Sequence, residues 1–262
     1  MTFKIIGNCV LYHDDCKNVL PTIGNMDAVI SDPPYEDEAH TLQRRILGKS
    51  IGKGKREIIN EKSLSFPSIT EELRDFVSFW AAANCKGWAL FFCQAEAIGA
   101  WRDSLIIGGA KFKRAMIWVK PDGMPQYNGQ GPAQGYESIA TAWCGEGHSK
   151  WNGGGRHGVF ICNKGEYNGP TLHETQKPIK LMRQLVELFT NPNDIVCDPF
   201  MGSGSTGVAC VKSGRRFFGI EREEKYYDIA CKRIEQAYAQ PDLFVEPPAK
   251  AEQIDMLENN SK

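Results

Sequence analysis

Two short stretches of this 262-residue chain combine residue types that could do chemistry. The first is Asp198-Pro199-Phe200-Met201-Gly202-Ser203-Gly204-Ser205-Thr206-Gly207, which contains Gly-x-Gly-x-x-Gly at Gly202, Gly204 and Gly207. It lies between a short apolar run, Asp194 to Cys197, and a stretch that reads as a helix over 205–213. Glycines in such a turn let the backbone approach a nucleoside cofactor, and an acid at the end of the next strand, Glu221, suits ribose hydroxyls. The pattern alone fits a nicotinamide cofactor and S-adenosylmethionine equally, and it also fits a tight packed turn. No Gly-Lys-Ser/Thr follows, so it is not a P-loop.

The second stretch is Asp32-Pro33-Pro34-Tyr35, at the end of the apolar run Met26 to Ser31. Average residue usage would produce this tetrapeptide in roughly one chain per thousand of this length. An exocyclic amine on an aromatic base is a poor nucleophile, because its lone pair is delocalised into the ring. Methylating it requires that lone pair to face the methyl group. The Asp32 carboxylate and the Pro33 carbonyl can accept the two amino hydrogens and hold the nitrogen in line. Two prolines end a central strand, donate no competing N–H and stiffen the turn. Tyr35 offers a ring on which a base that has left a duplex can stack. The structural alternative is a surface turn.

Around these stretches the pattern alternates between strands and helices. Residues 4–6 and 9–13 read as short strands joined at Gly7-Asn8, and Met26 to Ser31 as a third. Ser68-x-x-Glu71 has the form of a capping box, and Leu73, Phe76, Val77 and Trp80 follow at helical spacing. Gly87 to Cys93 reads as a buried strand, 95–107 as a helix and Ala115 to Val119 as a strand. From Gly123 to Gly169 the texture changes: 12 of the 26 glycines lie there, and only Ser138 to Cys144 reads as a strand. Pro178 can open a helix whose apolar face carries Leu181, Met182, Leu185, Val186 and Phe189. Arg216 to Ile220 reads as a strand, and Tyr227, Ala230, Cys231, Ile234 and Tyr238 define a last helix.

Taken together, the motifs resemble the S-adenosylmethionine-dependent DNA amino-methyltransferases that act on N6 of adenine or N4 of cytosine. The resemblance spans about residues 8–238. It rests on Asp15-Cys16, on the strand running into Asp32-Pro33-Pro34-Tyr35, on His173-Glu-Thr-Gln-Lys-Pro178, on Asp198 to Gly207 and on Gly219-Ile-Glu221 with Tyr227, Ala230 and Arg233. The catalytic motif precedes the cofactor loop, the order of the β class, in which the usual methyltransferase chain is circularly permuted. The resemblance implies one α/β, Rossmann-like, doubly wound domain over 1–240 with a mostly parallel, seven-stranded sheet and a target-recognition insertion at 123–172. It implies that Asp32, Pro33, Pro34 and Tyr35 are catalytic. Asp198, Pro199, Phe200, Gly202, Ser203, Gly204, Ser205 and Thr206 would surround the methionine end of S-adenosylmethionine, Glu221 with Arg222 its ribose, and Asp15 with Cys16 its adenine. His173, Thr175, Gln176 and Lys177 would lie near its carboxylate. Asp in the first motif position leans toward adenine. N4-cytosine methylation is the nearest alternative, and a catalytically idle DNA-binding protein on the same fold is one of another class. The C5-cytosine family is set aside, since no Pro-Cys dipeptide is present to supply its thiol.

Charge and composition bound the partners. Net charge is −1, but residues 241–262 hold five acids and two lysines, and without them the body has 29 basic and 27 acidic residues, net +2. Arg44, Arg45, Lys49, Lys53, Lys55 and Arg56 crowd the segment after the catalytic turn. They read either as a solvated loop or as a loop that tracks DNA phosphates, and in the family a DNA-contacting loop stands there. Within the insertion, Tyr127, Trp151, Arg156 and His157 are candidate base readers. The nine cysteines form no Cys-x-x-Cys pair and suit buried thiols of a cytoplasmic protein. Cys144, His148, His157 and Cys162 have ligand-type side chains but a spacing that matches no common zinc finger, so no metal is expected. No apolar run reaches the ~18 residues of a membrane span, and the start reads as having no signal peptide. The family resemblance makes a homodimer conceivable. The acidic tail, 241–262, has a disordered composition. At its root Gln240, Leu243 and Phe244 resemble the peptides that dock on the bacterial replication sliding clamp, while the apolar pair could equally cap the core.

Overall fold

A computed structural model describes residues 1–35, 68–123, 131–164 and 176–240, together with the backbone of 46–50 and 56–59. The strands are β1 (Thr2–Ile6), β2 (Cys9–His13), β3 (Met26–Ser31), β4 (Ile46–Ser50), β5 (Arg56–Ile59), β6 (Cys85–Cys93), β7 (Lys111–Val119), β8 (Tyr136–Trp143), β9 (Val159–Ile161), β10 (Ile195–Asp198) and β11 (Arg216–Glu221). The α-helices are α1 (Cys16–Val19), α2 (Glu71–Asn84), α3 (Ile98–Ile107), α4 (Ile179–Phe189), α5 (Ser205–Lys212) and α6 (Glu224–Ala239).

Nine strands form one sheet in the order β1-β2-β11-β10-β3-β6-β8-β7-β9, and β4 and β5 pair separately as an antiparallel hairpin. The five neighbours from β2 to β6 are parallel, while β8 runs antiparallel to both β6 and β7. The expected count of seven is corrected to nine. The two extra strands are at the edges: β1 folds back on β2 as an antiparallel hairpin, and β9 adds in parallel to β7. Composition hid β9, because its three residues sit inside a glycine-rich stretch. The strand expected within that stretch, Ser138 to Cys144, is β8, which lies inside the sheet.

Alternate residues of each central strand face opposite layers, and both layers are apolar, as a sheet covered on both faces requires. On β6, Leu90 and Phe92 join a cluster with Leu181, Leu185 and Val186 of α4, Val208 of α5 and Ile234 of α6. Ala89, Phe91 and Cys93 join the other, with Val77 and Trp80 of α2 and Trp101 and Leu105 of α3. Every apolar residue predicted for α4 is buried. The cap of α2 differs from expectation: the Thr70 side chain accepts from Leu73 N at 3.3 Å, two residues after Ser68. The backbone explains the shift, since Ile69 N is drawn into a hydrogen bond with Tyr35 O at 3.1 Å and Ser68 stays outside the helix. All nine cysteines are free thiols, eight of them buried.

This topology places the site. Between the adjacent strands β10 and β3 the chain paths diverge: β10 leads through α5 on one face to β11, and β3 leads on to α2 on the other face and then to β6. A crevice opens at the carboxyl ends of strands at such a switch point. Asp198 and Asp32 stand at those two ends. Phe91 anchors the α2–α3 side, fully buried and stacked on Trp101 with centroids 4.6 Å apart. Phe91→Ala should cost about 3–5 kcal/mol of folding stability. Urea denaturation would measure it, and a loss below about 1 kcal/mol would contradict this packing.

Candidate active site

The cleft at the ends of β3, β10 and β11 is lined by Asp14, Asp15 and Cys16, by Asp32 to Tyr35, by Glu137, Gln176 and Lys177, by Asp198 to Ser203, and by Glu221 to Glu223 with Tyr226. Motifs almost 190 positions apart in sequence thus share one wall. His173 and Thr175 lie outside the described residues, as do Arg44, Arg45, Lys53, Lys55, Tyr127, Leu243 and Phe244. Lys49 and Arg56 are placed by backbone alone, on the two strands of the β4–β5 hairpin. Of the remaining candidate base readers, Trp151 packs on Phe189 and donates to Gly154 O, while Arg156 and His157 are exposed. Among the described residues no group of three or more His, Cys, Asp or Glu could hold a metal ion.

The loop after β10 is clasped by its own first residue. Asp198 Oδ1 accepts from Ser31 Oγ at 2.5 Å and from Phe200 N at 3.1 Å, and Oδ2 accepts from Thr206 Oγ1 at 2.6 Å. Both carboxylate oxygens are therefore engaged within the protein. Gly204 has φ +81°, and a Cβ there would meet Ala230 Cβ of α6 at 2.9 Å. Glycine thus permits both the left-handed turn and the seating of the loop on α6. Arg233 of α6 tightens that seat by donating to Ser203 O at 2.6 Å and Ser203 Oγ at 2.9 Å.

Glu221 ends β11 and reaches back: Oε2 accepts from Gly202 N at 2.9 Å and Oε1 from Glu223 N at 2.8 Å. A carboxylate has about four acceptor positions, so lone pairs remain for a ligand in the cleft. Asp15 caps α1, accepting from Lys17 N at 2.8 Å. Burial pushes the Cys16 thiol up to about 12, so it presents a neutral wall.

The turn Asp32 to Tyr35 is backed by a cluster of charges that no sequence motif marks. Lys177 Nζ donates to Asp32 Oδ2 at 2.5 Å and lies 3.3 Å from the Tyr35 hydroxyl and 3.3 Å from Glu137 Oε2. Lys120 donates to Glu137 Oε1. Two carboxylates and two ammonium groups thus form a neutral buried quartet. Lys177 was expected near the cofactor carboxylate; here its charge is committed to Asp32 and Glu137. Burial disfavours its ammonium form, but the two carboxylates outweigh that and hold its pKa above the ordinary lysine value. Burial pushes the Asp32 carboxyl up, Lys177 opposes it, and Glu137 adds to it. Burial also opposes the Glu137 carboxylate, yet Lys177 and Lys120 hold it below its usual value. Asp32 Oδ1 is buried and has no hydrogen-bond partner.

A signal for the missed pair existed. Lys120 directly follows the strand Ala115 to Val119, and Glu137 directly precedes the one begun at Ser138. Trp118 pairs with Glu137 across β7 and β8, so these two strand-end charges had to meet if the strands were antiparallel neighbours.

The sequence profile described as DNA methylase matches residues 26–232. The chain belongs to the DNA methylase family. It is 26% identical over 273 residues to the Type II methyltransferase M.HinfI of Haemophilus influenzae, covering 89% of this chain and 72% of that protein. The structure resembles that of the M1.HpyAVI–SAM complex with a TM-score of 0.66 and 28% identity, covering 86% of this chain and 98% of that one. It also shares its fold with the PvuII DNA methyltransferase, described as cytosine-N4-specific, at a TM-score of 0.64, 15% identity and coverage of 94% and 92%.

Burial pushes Asp198 up to about 6 even with three donors. Its folded pKa is raised above the ordinary 3.8, so its stabilising contribution is present at low pH and lost as pH rises through about 6. The difference corresponds to about 3 kcal/mol in order of magnitude. Asp198→Asn keeps the shape without the charge. Its unfolding free energy should gain on the wild type between about pH 4 and 7. Urea titrations across that range would test this, and a constant difference would refute it.

Proposed function

We propose that this chain transfers a methyl group from S-adenosylmethionine to the exocyclic amino nitrogen of a base flipped out of double-stranded DNA, the N6 of adenine in particular. The observation that carries the reading is the buried, unpartnered Oδ1 of Asp32 on the wall of the cleft that the glycine loop also lines. A carboxylate oxygen shielded from water and left without a donor is costly unless a ligand supplies one. An amino group does.

The cleft suits the cofactor. The turn at Gly202 and Gly204 brings backbone to the ligand, Glu221 retains acceptor positions suited to ribose hydroxyls, and Cys16 and Phe200 give neutral walls. When bound, the cofactor supplies a methyl group on a positively charged sulfur. The chain's own part is to orient the amine. Asp32 Oδ1 and the Pro33 carbonyl accept its two hydrogens, which turns the lone pair toward the methyl. Lys177 on Oδ2 favours the ionised, accepting form of Asp32 against the pull of burial. The Tyr35 ring stacks on the base. The cationic segment that includes Lys49 and Arg56 is assigned to the DNA backbone, the part of 123–172 outside β8 to target recognition, and Gln240, Leu243 and Phe244 to clamp docking. Adenine is favoured because Asp, rather than Ser, opens the catalytic tetrapeptide.

Asp32→Ala should lower kcat by about 100- to 1000-fold, by analogy with the loss of one transition-state hydrogen bond. Affinity for S-adenosylmethionine should stay near that of the wild type, and Glu137 still pairs the buried Lys177 ammonium, so the variant should fold. Transfer of labelled methyl to unmethylated DNA, followed by digestion to nucleosides, measures both rate and product. A variant with near wild-type kcat would sink the assignment of Asp32. Recovery of N4-methylcytosine in place of N6-methyladenine would move the target to cytosine.

A further inference from the structure

Glu137 is an acid at the first turn of a strand otherwise made of apolar and small residues, and it is 8% exposed. Burying a carboxylate there is unfavourable unless several donors converge on it. Lys120 Nζ donates to Oε1, the Lys177 ammonium forms an ion pair with Oε2 at 3.3 Å although Oε2 has no hydrogen-bond partner among the described residues, and the Tyr35 hydroxyl interacts with the same carboxylate. Two of these three groups touch the catalytic turn directly, since Lys177 holds Asp32 Oδ2 and Tyr35 belongs to the motif itself. Lys177 also sits 5.3 Å from the Tyr35 ring centroid and 5.0 Å from that of Phe92, so its path to Asp32 is walled by aromatic faces. Glu137 adds an anchor to those that Asp32 and the Tyr35 hydroxyl give the ammonium along that wall.

We propose that Glu137 is a positioning residue of the methyl-transfer reaction: its buried carboxylate holds Lys177 against Asp32 and the Tyr35 hydroxyl in one place, so that the amine acceptor and the stacking ring for the base are set by a single group on β8. Lys120 completes the device by neutralising the charge that Lys177 cannot share between two carboxylates. The inference rests on the proposed DNA amino-methyltransferase activity. It adds a residue from the antiparallel part of the sheet to a site otherwise built at the ends of parallel strands.

The test is Glu137→Gln in the full chain, which keeps shape and an acceptor oxygen but removes the charge. Single-turnover methyl transfer to unmethylated DNA should slow by roughly 100-fold, the scale expected when a reacting geometry is displaced by about 1 Å. Affinity for S-adenosylmethionine should remain within about twofold, because the cofactor wall is untouched. The pH–rate profile supplies a readout that a merely structural role would not move. The charged and titratable groups facing Glu137 are Asp32, Tyr35, Lys120 and Lys177, with Cys93 beside Tyr35 and Lys164 beside Lys120. Glu137 raises the pKa of Asp32, so its loss should carry the acid limb of the profile to lower pH. If the single variant does not fold, Lys120→Met with Glu137→Gln removes one charge of each sign and leaves the Asp32–Lys177 pair neutral. That double variant should fold and show the same slow transfer. A rate within about twofold of wild type in whichever variant folds would overturn the proposal, as would a loss that follows the melting temperature with the acid limb unmoved. A wild-type chain that methylates no DNA would instead bring down the activity on which the proposal rests.

Discussion

The site depends on one hydrogen bond between neighbouring strands, from Ser31 Oγ on β3 to Asp198 Oδ1 on β10. The two strands are parallel and in register at Ala28–Val196 and Val29–Cys197, and the bond ties their ends where the backbone ladder stops. The same carboxylate holds Phe200 N and Thr206 Oγ1. One buried side chain therefore fixes the catalytic strand, the start of the glycine loop and the first turn of α5 relative to one another. Methyl transfer between two bound molecules is a problem of alignment, and a fixed separation between the two binding walls removes most of the freedom that alignment must lose.

A second constraint is electrostatic. Isolated charges at the depth of Lys177 and Glu137 would be strongly unfavourable, and breaking such a set by removing one member leaves an uncompensated neighbour. The quartet is neutral as a whole, so burial is tolerated, but no member is independent. In a cleft lined by Pro33, Pro34 and Met182, that coupling offsets part of the burial that pushes the Asp32 carboxyl up. Asp198, held by hydrogen-bond donors in place of a cation, is likewise pushed upward by burial, to about 6.

What the sequence disclosed and what it withheld follow from the range of the interactions involved. The glycine loop, Glu221 and the catalytic tetrapeptide are local in sequence, with their chemistry written in adjacent residues. The helices α4 and α6 were legible because five apolar residues in each repeat at helical spacing. β9 was not legible, since three residues among glycines carry no period, and its existence depends on β7 offering an edge. The Thr70 cap was misplaced because a tertiary bond, Ile69 N to Tyr35 O, decides where α2 begins. Glu137 and Lys120 are the instructive miss: neither lies in a motif, and the antiparallel pairing of β7 with β8 brings them together beside Lys177.

The chain uses the same dipeptide twice to opposite ends. Asp32-Pro33 and Asp198-Pro199 stand at the carboxyl ends of adjacent parallel strands, and in both the proline ends the strand and withholds an N–H. Around Asp198 three donors arrive from within the protein, and both of its oxygens are engaged. Around Asp32 one oxygen is taken by Lys177 and the other is left buried and open. The difference lies in the neighbours, not in the motif. Ser31 and Thr206 offer hydroxyls only to Asp198, and the prolines flanking the catalytic turn offer none to Asp32. A saturated carboxylate stabilises shape, whereas an unsaturated one stores an unmet demand for a donor. Placing the two side by side on a rigid sheet gives one acid that holds the cleft and another that keeps an unpartnered oxygen beside it.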